Sequence, residues 1–331
     1  MLKDEKILNK VEKIVNDLFN QKIKNWSFLW EGYISEVYTV ELYSWKQLVL
    51  KFLKQWQIWW FEYPLENIKS LVISDLMMKN IQNVNWVNSW GVYEIEWIYF
   101  QIMDFVQWRK MNLDDFMNEK IIDKIAEKIA RMHIFWKGIV KNFEEEFKER
   151  YWKRWFREVF SNNETLLSVY EVWYSKSNYE DLGWKIFQII LDKYRNFIRQ
   201  NNFKRLTTLH WDFWYDNVIV WEDDVYFIDF SRIPYWDPAI DVGRFIGEAI
   251  IRYVFSEDIK WKKVIDRFLN KYIEISKDEE VLRYLDISIL WVFYINTSPL
   301  VQQFLNRTKS EFMKISGVID NYDNFIKQII K

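Results

Sequence analysis

In the stretch LHWDFWYDNVIVWEDDVYFIDF, an Asp stands two residues after His210, an Asn five residues after that Asp, and a second Asp near the end of an apolar run. This spacing suits phosphoryl transfer. Asp212 is placed to accept the proton of an attacking hydroxyl, while Asn217 and Asp229 offer oxygens to a Mg2+ bridging the phosphates of a nucleotide. Asp and Asn on hairpins often serve only their own backbone. Here the spacing, the strand context and the downstream run DPAIDVG, Asp237 to Gly243, agree on the chemical reading.

The same stretch holds Trp211, Trp214, Trp221 and Trp236 where the backbone is expected to turn or pack closely. Across the chain there are 21 Trp and 7 Gly in 331 residues, whereas ordinary usage would give roughly 23 Gly. Ser44-Trp45-Lys46 and Val220-Trp221-Glu222 lie between strand-like runs, where positive φ favours glycine. The pattern reads as glycine positions written as tryptophan, as a stop codon reassigned to glycine and translated under another code table would produce. A genuinely Trp-rich protein is the alternative.

The elements that must position these residues follow from length and pattern. At 331 residues and 50% apolar content, two lobes with sizeable cores are expected. With 46 basic against 48 acidic side chains, the formal charge of −2 gives no reason to expect nucleic acid or an anionic membrane as partner. The absence of cysteine excludes disulfides, zinc-thiolate centres and thiol catalysis. No apolar run approaches the length of a membrane span and the first twenty residues lack a secretory pattern, so a soluble, cytoplasmic protein is expected.

Residues 1–105 read as a lobe built on an antiparallel sheet: a starting helix, then strand-like runs at Val37–Leu42, Gln47–Phe52, Val92–Ile95 and Ile98–Met103, with one helical segment from Leu65 to Ile81. Residues 106–331 read as a larger helical lobe carrying the catalytic loop. Helical runs are expected at Ile121–Phe135, Glu144–Phe160, Gly183–Asn202, Asp241–Phe255, Trp261–Ile275, Glu280–Ile295 and Pro299–Lys314. The exception is a hairpin from Val218 to Phe230, with Asn217 and Asp229 at its ends. The fold class is therefore α+β.

With those residues in hand, the chain resembles the aminoglycoside phosphotransferase and choline kinase group of small-molecule kinases, which share the bilobal protein-kinase-like fold. Reading Trp211 and Trp236 as glycine turns two segments into HGDFxxxN and YGDPAIDVG, both similar to signatures of that group. The resemblance implies residues 1–105 as the nucleotide-binding lobe, Asp212 as catalytic base, Asn217 and Asp229 as metal ligands, His210 as a brace of the loop, and Asp237 and Asp241 as structural ties. It further implies Lys51, in LVLKF, as the phosphate-holding lysine, fixed by an acidic partner that is either Asp75 or Glu66, with Asp75 favoured by spacing. Gly32 and Ser35, in LWEGYISEVYTV, fall in the phosphate-covering hairpin, and the main chain of Asp104 and Phe105, in YFQIMDFVQW, in the lobe link that meets the purine.

On this reading the protein is an ATP- or GTP-dependent kinase with Mg2+ as cofactor and an aminoglycoside, choline-like or sugar-like hydroxyl as acceptor. The alternatives are a catalytically silent nucleotide-binding regulator and a kinase of protein side chains. His133, in IARMHIF at a helix end, reads as a packed or capping residue. Asp216 and Glu248 are candidates for acidity around the acceptor. Oligomeric state is left open.

Overall fold

Alternation of apolar and polar residues builds the first part of the chain, and in this computed structural model it does so around one antiparallel sheet. The structure describes residues 5–31, 35–54, 71–72, 75, 88–96, 98–106, 109–140, 180–200, 207–210, 212–229, 235–297 and 308–330. Helix α1 (Glu5–Phe19) and strands β1 (Ile23–Glu31), β2 (Ser35–Leu42), β3 (Gln47–Leu53), β4 (Ser89–Ile95) and β5 (Ile98–Asp104) follow in order. The sheet order is β1-β2-β3-β5-β4. Ile7, Val11 and Val15 recur at helical spacing on α1 and enter one core with Leu48, Leu50, Phe52, Phe100 and Ile102. Because strand residues alternate faces, Lys51 lies on the opposite side of β3 from Leu50 and Phe52.

The chain divides into two units: Met1–Arg109 with Tyr226–Ile233, and Lys110–Val225 with Pro234–Lys331. The second is mainly helical. It contains α2 (Glu119–Val140), α3 (Glu180–Gln200), α4 (Ala239–Ser256), α5 (Ile259–Ser276), α6 (Leu285–Thr297), α7 (Lys309–Asp320) and α8 (Tyr322–Ile329). Short strands β6 (Arg109–Lys110), β8 (Val218–Trp221) and β9 (Asp224–Phe227) form a small sheet, and β7 (Thr207–Thr208) pairs with β10 (Tyr235–Trp236). Helix α4 is buried on every side from Ala239 to Ile251. Its two glycines let α6 come close, since a Cβ at Gly243 would stand 2.6 Å from Ser288 Cβ and one at Gly247 2.5 Å from Val292 Cγ2.

The α+β architecture agrees with the sequence reading, and several element bounds differ. Strand β1 was absent from the expected runs, because its residues are mostly exposed and show no clean alternation. The run expected as one helix from Glu280 breaks into a 3-10 turn at Glu279–Arg283 and then α6. Of the run expected from Pro299 to Lys314, residues 299–307 lie outside the described residues, and helix α7 starts at Lys309, where Thr308 and Glu311 form a capping box. The segment Glu144–Phe160, and most of Leu65–Ile81, lie outside the described residues.

Backbone angles bear on the tryptophans. Trp45 sits at φ 67°, in a turn where its N–H bonds Leu42 O at 2.9 Å and the Leu42 N–H bonds Lys46 O at 2.8 Å. That left-handed position is the one a hairpin normally gives to glycine. In the β8–β9 hairpin the expectation for Trp221 does not hold, since the positive φ, 53°, belongs to Glu222.

Candidate active site

Asp212 lies in the loop between β7 and β8, where a 3-10 turn at Tyr215–Asn217 leads into the apolar strand Val218–Trp221. The loop folds back on its own aspartate. The Asp212 carbonyl accepts from the Trp214 N–H at 2.9 Å and from the Asn217 amide at 2.8 Å. Of the carboxylate oxygens, Oδ1 accepts from the Trp214 indole N–H at 2.8 Å, and Oδ2 lies 3.3 Å from Asn217 Nδ2. Asp212 and Asn217 are thus brought together. With its nitrogen turned to Asp212, Asn217 presents its amide oxygen on the other branch of the side chain.

A buried network holds the start of this loop. The Asp241 carboxylate, on α4, accepts the His210 backbone N–H at 2.7 Å and meets His133 Nε2, on α2, at 3.1 Å. His133 Nδ1 lies 2.9 Å from the Tyr272 hydroxyl on α5, and the Thr207 hydroxyl donates to the His133 carbonyl at 2.8 Å. His133, His210, Asp237 and Asp241 are all buried. Asp237 accepts the Ala239 N–H at 2.9 Å at the start of α4. Helix α2 also supports the following hairpin, because Lys128 donates to Val225 O at 2.6 Å and pairs with Asp224 at 2.7 Å. Burial pulls the Lys128 ammonium below the usual lysine range, and Asp224 opposes that shift.

In the sheet unit, Lys51 Nζ donates to Asp229 Oδ1 at 2.6 Å, with Lys51 only 7% exposed. A lysine so buried needs a carboxylate. Asp229 takes φ 63°, a left-handed conformation that aspartate tolerates better than most residues and that recurs where function imposes it. Across the same face, Gln101 Nε2 donates to Ser89 Oγ at 2.8 Å and Ser89 Oγ donates to Asp75 Oδ1 at 2.6 Å. Lys51 thus meets Asp229, and Ser89 is among the partners of Asp75. Glu66 and Gly32 lie outside the described residues. Ser35 begins β2 and is buried.

The expected purine link is occupied by sheet bonding on its donor side. Asp104 N–H bonds Asn88 O at 2.9 Å and Phe105 N–H bonds Gln47 O at 3.2 Å. The Asp104 carboxylate accepts from Trp90 Nε1 at 2.7 Å and pairs with Lys46 at 3.2 Å. Glu248 Oε1 accepts from Arg252 Nε at 3.0 Å and from Arg252 Nη2 at 2.9 Å, whereas Asp216 is exposed.

Sequence reasoning missed the reach of His133, whose helix position predicts packing and gives no sign of its two partners. It also missed Trp214 as a donor. The signal there was its place two residues after Asp212, masked by the excess of tryptophan.

Oxygen donors of this type are hard ligands suited to Mg2+, and Asp229 and Asn217 supply a carboxylate and an amide oxygen. Among the described residues no group of three or more His, Asp or Glu gathers as a metal cage. An ion held by one or two side chains and by phosphate oxygens needs none.

The choline/ethanolamine kinase family model matches residues 101–325, well over half of the chain. No curated protein matches it in sequence. Among solved structures it is similar to a choline kinase from Cryptosporidium parvum Iowa II, with TM-score 0.59, 13% identity and coverage of 96% of this chain and 97% of that one. It is also similar to the amicoumacin kinase hAmiN in complex with AMP-PNP, Ca2+ and Ami, with TM-score 0.57, 15% identity and coverage of 99% and 96%. A thermostable mutant of the aminoglycoside phosphotransferase APH(4)-Ia gives TM-score 0.56 at 13% identity, covering 94% and 98%. No described helix is long and apolar enough to cross a membrane.

Proposed function

The chain belongs to the choline/ethanolamine kinase family, and from that premise we propose that it transfers the γ-phosphoryl group of ATP or GTP to a hydroxyl of a small choline-like, aminoglycoside-like or sugar-like acceptor. The chain is a small-molecule phosphotransferase. Its donor, acceptor and residue roles are the proposal.

Asp212 accepts the acceptor's proton as the oxygen attacks. The observation that carries this role is its carboxylate, held by Trp214 on one oxygen and near the Asn217 amide on the other. Lys51 acts as a fixed positive charge for the donor phosphates, and Asp229 and Asn217 would hold Mg2+, which would supply charge neutralisation for the transferring group. Positioning and charge neutralisation supply most of the rate in such chemistry, because the phosphoryl group needs little covalent help. Ser35, Asp75, Asp104 and Phe105 are assigned to the nucleotide's surroundings, together with Gly32. The sequence gives no reason for a nucleic-acid or membrane partner, and a cytoplasmic location suits a nucleotide-consuming enzyme.

A panel of hydroxylated amines, amino alcohols and sugars, screened for stimulated nucleotide consumption, tests the proposal. Asp212→Asn is expected to lower turnover about 10²- to 10⁴-fold while nucleotide binding persists. Wild-type turnover in that variant removes Asp212 as the base. Mg-nucleotide binding without turnover on any acceptor favours the silent regulator.

A further inference from the structure

Three buried or oriented side chains near the catalytic loop have been given no chemical role of their own: His133, Lys128 and Trp214. The first two act on backbone or on structural carboxylates. Trp214 touches the proposed base itself.

Its indole N–H donates to Asp212 Oδ1 at 2.8 Å, and its backbone is bonded at both ends of the turn, N–H to Asp212 O at 2.9 Å and carbonyl from Asn217 N–H at 3.0 Å. The backbone there is extended, φ −100° and ψ 157°, so an indole is accommodated without strain, unlike at Trp45. On the ring face, the Arg244 guanidinium carbon lies 5.7 Å from the centroid, within cation–π range. The ring is therefore held by main chain, by Asp212 and by Arg244.

We propose that Trp214 is a positioning residue that aims the Asp212 carboxylate, leaving Oδ2 as the oxygen that takes the acceptor's proton. An indole N–H only donates, so it fixes the carboxylate without competing for that proton. Oδ1 is committed at 2.8 Å, whereas among the described residues Oδ2 has the longer contact, the Asn217 amide at 3.3 Å, and keeps lone-pair capacity. An arrangement of this kind raises the fraction of encounters in which hydroxyl and base are aligned. The inference rests on Asp212 being the base.

The test starts with protein made from its own gene, in which peptide mass must give tryptophan at 214; glycine there overturns the proposal. Trp214→Phe keeps a ring and removes the N–H. It is expected to lower kcat about 10- to 100-fold with nucleotide KM unchanged, and to add no further loss in the Asp212→Asn background, because it acts through that carboxylate. Unchanged kcat, a change confined to KM, or full additivity overturns it. In ¹⁵N-tryptophan-labelled protein, the indole cross-peak lost in Trp214→Phe should move in Asp212→Asn, whatever acceptor is used. A stationary peak overturns the contact even if no turnover is found, whereas a moved peak with wild-type turnover in Asp212→Asn faults the function proposed for the base.

Discussion

Lys51 Nζ and Asp229 Oδ1 form a 2.6 Å ion pair between residues 178 positions apart. The lysine side chain is 9% exposed and the aspartate 24%, so water screens the pair less than an exposed surface bridge. The pair holds the proposed phosphate-binding cation and one proposed metal ligand within one unit.

Replacing Lys51 with Met keeps the apolar stem and deletes the charge. Turnover should fall about 10²- to 10³-fold, the cost typical of one lost electrostatic donor, and unfolding free energy by about 1–3 kcal/mol. Initial rates and denaturant unfolding check both. A variant as active as the wild type removes Lys51 from the phosphate site.

Asp229→Asn should change the magnesium dependence. Asparagine also tolerates the left-handed backbone at this position, so the fold is expected to persist while the metal loses a charged ligand. The Mg2+ concentration for half-maximal turnover should rise about tenfold or more. A magnesium titration that overlays the wild type would count against the assignment.

His133→Leu deletes two hydrogen bonds, to Asp241 and to Tyr272, from a buried network. Each such loss costs about 1–3 kcal/mol when a partner stays buried. Tyr272→Phe removes only one of the bonds. The double variant should therefore lose less than the two single losses summed, by about 0.5 kcal/mol or more. Strict additivity in unfolding midpoints would show that the two side chains do not interact.

Among the C-terminal helices, Lys193 on α3 lies 2.7 Å from Asp323 and 2.9 Å from Asp286. The hydrogen bond and charge of Lys193 hold the Asp323 carboxyl below the usual aspartate range. A carboxyl with a lowered folded value binds fewer protons folded than unfolded, so its contribution is present above about pH 4 and is lost as pH falls further. Melting curves of Asp323→Asn and wild type should therefore differ at pH 6 and draw together as the pH falls below about 4. Asp323 is largely exposed, and the gap should be small and salt-sensitive.

Trp45→Gly should stabilise the chain by up to about 1 kcal/mol, since φ 67° strains any residue with a Cβ. The cation–π contact of Lys24, 3.7 Å from the ring centroid, offsets part of the gain. Trp221→Gly, in a strand without positive φ, should instead cost about 0.5–1 kcal/mol. Equal effects at both positions would remove the link between turn geometry and the glycine reading, and peptide masses of the native protein decide which residues it carries.

How much was legible depends on whether a feature is local. Strands β2, β3 and β5 announce themselves through alternation and β-branched residues, and the 3.6-residue period marks α1, α4 and α5. Strand β1 is mostly exposed and leaves no such trace. Capping residues matter over three or four positions, which is why Thr308 and Glu311 set the start of α7 more sharply than its apolar pattern did.

The order and spacing of Asp212, Asn217 and Asp229, the absence of thiol chemistry and the α+β class could be read from the chain alone, because these are properties of near neighbours or of composition, whereas Lys51 was singled out by the family resemblance. Tertiary structure alone decided that Lys51 meets Asp229, that Asp75 meets Ser89, that His133 reaches Asp241 and Tyr272, and that the indole of Trp214 turns onto Asp212. Among 46 basic and 48 acidic side chains, the chain order does not specify which charges meet. Packing through space brings particular pairs within hydrogen-bond reach, and burial then makes those few pairings matter.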